Sequence, residues 1–262
     1  MLVFRDQLSR KVELSGTPRR IISIVPSQTE LLFYLGLNVE VIGITKFCIH
    51  PAERFNSTTK VGGTKQLDVE KIRLLAPDLI IANKEENDRF QVEELMNICP
   101  VWISDIFNLD SALQMIACIG DIIGKPGQAN MLCMEINDRF SGIKLPVTGL
   151  KVAYLIWRRP YMLAGRGTFI DSMLQRCGLS NVTDAERYPE IDAAALAAVN
   201  PDLVFLSSEP YPFAQKHIEE FEVLLPNAEV VLVDGEMFSW YGSRLLYAPA
   251  YFKQLINGLV KN

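Results

Sequence analysis

Apolar and polar positions follow two alternating periods along this chain. Short unbroken apolar runs, "RIISIV", "VEVIGI", "PDLIIA" and "PVWIS", have the length and β-branched content of buried strands. Between them lie "QTELLFYLG", "DVEKIRLLA", "DRFQVEELMN" and "LDSALQMIACIGDIIG", where apolar residues recur every three or four positions, as on one face of a helix. Ser27 and Glu30 read as a capping box for the first of these helices and Asp68 as the cap of the second. Gly36 and Gly124 close helices.

A longer helical segment follows, "KPGQANMLCMEINDRFSGIKLP". Pro126 suits a first turn, and Ala129, Cys133, Ile136, Phe140 and Ile143 form one apolar stripe. The alternation then restarts. "KVAYLIW", "PDLVFLSS" and "AEVVLVDG" read as strands. "FIDSMLQRCG", "AAALAAVN", "FAQKHIEEFEVLLP" and "PAYFKQLINGLV" read as helices. There is an internal echo: "LDVEKIRLLAPDLIIANKE" resembles "IDAAALAAVNPDLVFLSSE", with Asp68 and Asp192 the same interval before a Pro-Asp-Leu. The expected fold is α/β: two Rossmann-like lobes with central parallel sheets, joined by one long backbone helix. The expected division is 1–124, a connecting helix over 125–146, and 147–262. Ligands of open α/β sheets bind beyond the carboxyl ends of the strands. The loops at those ends are therefore expected to line a cleft between the lobes: "PSQT", "TKFCIHP", "ANKEEN", "WRRPYMLAG", "SSEPYPF" and "DGEMFSWYG".

Composition narrows the function. The net charge of −5 argues against a nucleic-acid partner, which needs a basic face. Five cysteines, odd in number and without a CxxC pair, describe buried thiols rather than a disulfide framework. No apolar run is long enough to span a membrane. The first twenty residues lack the apolar core of a secretory signal, so a cytoplasmic chain is expected, or a periplasmic one if the chain has been trimmed. A monomer is expected. No GxSxG, HExxH or GxGxxG occurs, and a binding protein rather than an enzyme is expected. Two histidines, His50 and His217, cannot build a metal site of their own; His50 offers at most one axial ligand to a bound macrocycle, and His217 is read onto a surface helix.

"RIISIVPSQTELLFYLGL", "VIGITKFCIHPAE", "KVGGTKQLDVEKIRLLAPDLIIANKEEN", "DSMLQRCGLSNV" and "PDLVFLSSEPYPF" together carry a resemblance. The chain resembles the helical-backbone metal receptors, the class III substrate-binding proteins of bacterial ABC importers for vitamin B12, haem and iron–siderophores. The resemblance implies a shallow ligand site between two lobes and little closure about a rigid helix. It also implies a small-molecule ligand (a corrinoid, haem or a ferric siderophore), no cofactor of the protein's own, and an ABC permease as partner. Family members present a permease-docking glutamate on each lobe; Glu70 matches the first, while the echo puts Ala194 at the second. That departure and the unleadered N-terminus leave an alternative: a cytoplasmic relative acting as a cofactor carrier, regulator or enzyme outside transport.

The strand-exit residues divide by chemistry. Trp157, Arg158, Arg159 and Tyr161 suit a wall that stacks a flat ligand and pairs its acidic groups. Strand alternation lets one arginine face the ligand, and Arg159, beside Tyr161, is the expected one. Gly242 is expected to turn Trp240 and Tyr241 outward. Pro210 and Pro212 stiffen a loop presenting Glu209 and Tyr211. Thr64 and Lys65 in "VGGTK", Lys84 in "ANKEEN", Phe47 and Ser27 complete the expected ligand contacts, with Arg166 and Arg244 as further anchors for acidic groups. A corrinoid is the first expectation, since aromatic strand exits suit a large amphipathic macrocycle.

Overall fold

The computed structural model describes residues 1–259 and folds as two compact units. The first comprises Met1–Ile106, Asp110–Asn137 and Tyr241–Arg244; the second comprises Phe107–Leu109, Asp138–Trp240 and the chain from Leu245 onward.

The first unit opens with a hairpin that the apolar pattern did not predict, β1 (Leu2–Arg5) and β2 (Lys11–Leu14). The buried Asp6 carboxylate organises its turn, accepting the Leu8 and Arg10 amides at 3.0 and 2.8 Å and pairing with the Arg10 guanidinium. Then come β3 (Ile21–Ser23), α1 (Pro26–Tyr34), β4 (Val41–Ile44), α2 (Ala52–Ser57), β5 (Thr59–Lys60), α3 (Val69–Leu74), β6 (Leu79–Asn83), α4 (Arg89–Leu95), β7 (Val101–Ser104), α5 (Leu109–Ile122) and α6 (Pro126–Gly142). The sheet runs β5-β4-β3-β6-β7, every pair parallel. Parallel strands are buried on both faces, so they read as unbroken apolar runs. Ile22, Ile80 and Ala82 pack there with Ile72 of α3 and Val92 and Leu95 of α4.

The expected capping box at α1 does not form. The helix starts two residues earlier, at Pro26, with Val25 as its N-cap and no side-chain cap. Proline fits the first helical position because it has no N–H to leave unpaired. Ser27 therefore lies inside the first turn, and Glu30 is engaged elsewhere.

The second unit holds β8 (Lys151–Trp157), β9 (Tyr161–Leu163), α7 (Phe169–Arg176), β10 (Ser180–Asn181), β11 (Glu190–Ile191), α8 (Ala193–Ala198), β12 (Leu203–Ser207), α9 (Ile218–Leu224), β13 (Glu229–Val233), α10 (Gly235–Ser239) and α11 (Ala248–Leu259). Its sheet runs β11-β9-β8-β12-β13, with β10 also on β8. β8, β12 and β13 are parallel, as are β8 and β10, while β9 returns antiparallel to β8 and pairs antiparallel with β11. The helix expected through Val260 is described to Leu259; Val260 lies outside the described residues.

The helix expected over 125–146 corresponds in position to α6, which ends at Gly142; the division of units falls after Asn137. The internal echo is physical. Asp68 and Asp192 each accept an amide three residues on, at 3.0 and 2.8 Å, capping α3 and α8. Asp78 takes the Arg19 and Arg20 amides at 2.7 and 2.9 Å before β3, and Asp202 takes the Lys151 amide at 2.7 Å at the start of β8. The residues before each proline, Ala76 and Asn200, share the left-handed conformation, with φ of 44° and 45°.

Candidate functional site

In the first unit the chain leaves β3 toward β4 on one side and reaches β6 on the other. The carboxyl ends of β3 and β6 thus flank a topological switch point, where open α/β sheets take ligands. A buried polar network shapes this edge. Asn83 Oδ1 accepts the Glu85 and Glu86 amides at 2.8 and 3.0 Å, and its Nδ2 donates to Ser104 Oγ at 3.0 Å. Asn87 Nδ2 donates to the Ile24 and Thr64 carbonyls, both at 3.1 Å. Gln28 donates to Ser104 as well. The loop after β6 is therefore rigid by construction.

Lys65 clamps that loop, donating to the Glu85 carbonyl at 2.5 Å, and Lys84 pairs with Asp105 at 2.7 Å. Both lysines are exposed, but both ammonium groups are committed within the protein. "VGGTK" is a tight turn: Gly63 N–H donates to the Gln66 carbonyl at 2.7 Å. Thr64 is half-buried. Phe47 stands out at 50% exposed, with the Lys46 ammonium 5.1 Å from its ring centre. Ser27 is buried, its hydroxyl without a partner.

The segment Tyr241–Arg244 packs on this unit, and the expectation that Gly242 turns its aromatics outward fails. Tyr241 and Trp240 are each 5% exposed. Tyr241 donates its hydroxyl to Glu86. Arg244 grips Glu30 through both Nε and Nη2, at 3.1 and 2.6 Å. Gly242 has φ of 147°, and a Cβ there would sit 3.0 Å from the Ser27 carbonyl, so the glycine serves close approach to α1.

In the second unit, β8 is buried through Ile156 and then changes. Its pairing with β9 shifts register between Leu155 and Trp157. Such an irregularity re-aims the next side chain, and Trp157 emerges 41% exposed. Its indole N–H donates to the Arg159 carbonyl at 3.2 Å, and Tyr211 meets its ring edge-on, centroids 5.7 Å apart. Arg158 turns away. Its Nε and Nη2 donate to Glu220 at 2.9 and 2.5 Å, and the Tyr161 hydroxyl donates to the other oxygen of that carboxylate at 2.7 Å. Burial opposes ionisation of Glu220, but the Arg158 and Tyr161 hydrogen bonds outweigh it and hold the carboxyl below its usual range. Burial first, then the carboxylate it touches, pushes the Tyr161 phenol up to about 12. Arg159 is exposed and makes no ion pair among the described residues.

Glu209 Oε1 accepts from Ser239 Oγ at 2.5 Å and from the Trp240 indole at 2.8 Å. Burial, then Glu236 and Asp234, raise this carboxyl above its ordinary value against those two hydrogen bonds. Gly235 is needed beneath it: an added Cβ would lie 2.4 Å from Ser207 Oγ and 2.7 Å from Glu209 Cγ. Arg166 pairs with Asp184 at 2.7 Å. The arrangement brings Trp157, Arg159, Tyr161 and Tyr211 together, and assigns Glu209 and Trp240 to each other. Sequence reasoning missed Glu220 and Glu86, helix and loop glutamates that nothing local distinguishes from their neighbours, and read Glu30 as a capping residue rather than as the partner of Arg244. It also put His217 on a surface, where the structure buries it. Among the described residues no group of three or more His, Cys, Asp or Glu side chains is placed to hold a metal ion, and no helix is long and apolar enough to cross a membrane.

Two parallel-sheet edges carrying polar and aromatic loops match a known pattern. A family model described as periplasmic binding protein matches residues 21–224. The chain belongs to that family. Among periplasmic binding proteins, the vitamin B12-binding protein of Pectobacterium carotovorum is 23% identical over 239 residues, spanning 88% of this chain and 86% of that one. The periplasmic vitamin B12 binding protein BtuF of Vibrio cholerae superposes with a TM-score of 0.77 at 18% identity, over 94% of this chain and 99% of that one. A periplasmic heme binding protein from Pseudomonas aeruginosa gives 0.77 at 21%, over 91% and 92%. At these identities the structural likeness is one of fold.

Proposed function

We propose that this chain is the solute-binding component of an ABC-type importer. We further propose that its ligand is a large flat chelate, a corrinoid first, with haem or a ferric siderophore as the other candidates. The observation that carries the reading is the ledge at the end of β8. An indole that is 41% exposed, yet fixed by a hydrogen bond and a ring contact, is arranged to receive an apolar plate. Arg159, exposed beside it, suits a carboxylate, phosphate or amide edge of such a ligand. Phe47 offers a second exposed aromatic, at the edge of the first unit. The names of similar proteins, for vitamin B12 and haem, point to the same ligand class.

In this reading Arg158 and Tyr161 act as supports, Lys65 and Lys84 set the loop after β6, and Glu209 fixes Trp240. Glu70, its side chain 79% exposed in the first turn of α3, docks onto a cationic patch of the permease. The counterpart on α8 is Ala194, and Asp192, two residues before it, is spent on capping, so the exposed Glu190 is the available substitute. Equilibrium dialysis against cyanocobalamin, haemin and ferric siderophores tests the proposal. One of them should bind at micromolar concentration or tighter; retention of none rejects the ligand class.

A further inference from the structure

The loop that carries Tyr211 is held from behind by an imidazole. His217 is 3% exposed and ends the 3-10 turn Gln215–His217. Its Nδ1 accepts the Ala214 N–H at 2.9 Å. A ring nitrogen that accepts from a backbone amide carries a lone pair, so the proton of the neutral ring is on Nε2. That nitrogen lies 3.4 Å from the Tyr211 hydroxyl. The rings of Tyr211 and Phe213 each stand 5.6 Å from the imidazole, and 4.7 Å from one another. Tyr211 in turn meets Trp157, and its own amide donates to the Ile156 carbonyl at 3.3 Å. The contacts thus run unbroken from His217 through Tyr211 to the exposed indole.

The surroundings disfavour a second proton on this ring. The charged groups that face it are Arg158 from the turn after β8, Lys216 from its own turn and Glu220 from α9, besides the Tyr211 hydroxyl and the Ala214 amide. Glu220 is already paired with Arg158. Burial first, then Arg158 and Lys216, hold the imidazole below its ordinary value. A proton on Nδ1 would also set N–H against N–H at Ala214, turning an attraction into a repulsion.

We propose that His217 is the positioning residue of the second unit's aromatic ledge: its neutral Nε2–H ring fixes the loop 210–213, sets Tyr211 against Trp157, and makes binding at the ledge depend on that ring staying neutral. The binding clause rests on the function proposed above; the positioning clause does not, since it is read in protein without ligand.

Nitrogen-15 spectra of the ligand-free protein provide the first readout. Only two imidazoles are present, and His50→Gln assigns them. His217 should be the Nε2–H tautomer at neutral pH and should take its second proton only below the ordinary imidazole value of ~6.5. Tryptophan emission should change in step with that protonation, and Trp157→Phe should remove the change. His217→Asn keeps an acceptor for Ala214 but cannot be protonated, so its emission should show no step as the pH falls. His217→Ala should shift the emission at every pH; if that variant does not fold, His217→Asn decides. Affinity for the chelate found by dialysis should fall about tenfold across the same protonation in wild type, the size expected for a loosened aromatic anchor, and not in His217→Asn. An Nδ1–H tautomer at neutral pH, or an emission step persisting in His217→Asn, overturns the proposal. An emission step lost in His217→Asn, in a protein that binds none of the chelates, upholds the positioning role and rejects the ligand class instead.

Discussion

At the turn after β8, Arg158 gives two nitrogens to Glu220, while Arg159 stands in solvent one residue on. Exchange of each for methionine separates the roles. Arg158→Met leaves a carboxylate without its cation and should lower the urea midpoint. Arg159→Met should leave the urea midpoint unchanged and weaken ligand binding. The acid limit follows from the same carboxylate. Glu220 is held below its ordinary value, so its contribution is full above the unfolded-state carboxyl value of ~4.3 and is lost as pH falls through the lower folded value. In Glu220→Gln, stability should fall less steeply below pH ~4.3 than in wild type, as followed by circular dichroism. Gly235→Ala forces a methyl group against Ser207 and Glu209 and should cost about 1–3 kcal/mol, with altered Trp240 emission. Strand alternation does not account for the divergence of the two arginines, because β8 ends at Trp157 and both lie in the turn after it. The partner of Arg158 was not legible, because Glu220 lies in another element 62 positions away.

The elements were legible wherever burial on both faces left an unbroken apolar run, as in β6, β8 and β12, or where a cap residue stood before a periodic stretch, as at Asp68 and Asp192. The hairpin β1–β2 escaped because each strand is only four residues long and β1 leaves Leu2 and Val3 exposed. The start of α1 was misplaced because Pro26 reads equally as a strand terminator or as a first helical residue. His217 was misplaced because a 3-10 turn interrupts the helical period just where the side chain turns inward. The repeated Pro-Asp-Leu unit allows an element-level test. Ala76 and Asn200 hold the same left-handed conformation, which asparagine tolerates better than alanine. Ala76→Asn should therefore raise stability by about 0.5–1 kcal/mol, an estimate from the cost of that conformation. An unchanged or lower urea midpoint would show that the turn is strained for another reason.

On the scale of the whole chain, the same α/β plan recurs in two units, and each gathers its strand-exit loops at the carboxyl edge of its parallel strands. Membership in the periplasmic binding protein family fits that plan. The chemistry of the edges is less uniform than their sequence suggested. Cations expected to anchor a ligand, Lys65, Lys84, Arg166 and Arg244, are bound to carbonyls or carboxylates within the protein. Under the proposed function, the exposed aromatics Trp157 and Phe47 suit a broad apolar plate better than a small multivalent anion. If Glu70 docks to the permease, Glu70→Arg should abolish uptake in cells while leaving ligand affinity unchanged. The most direct test of the central claim is the titration of wild type and Trp157→Ala, in parallel, with cobalamin, haemin and ferric siderophores, by isothermal calorimetry. One ligand should be bound at micromolar Kd or better by wild type, and at least about tenfold weaker by Trp157→Ala, the loss expected of an aromatic anchor. Equal affinity of the two proteins for every ligand would contradict it.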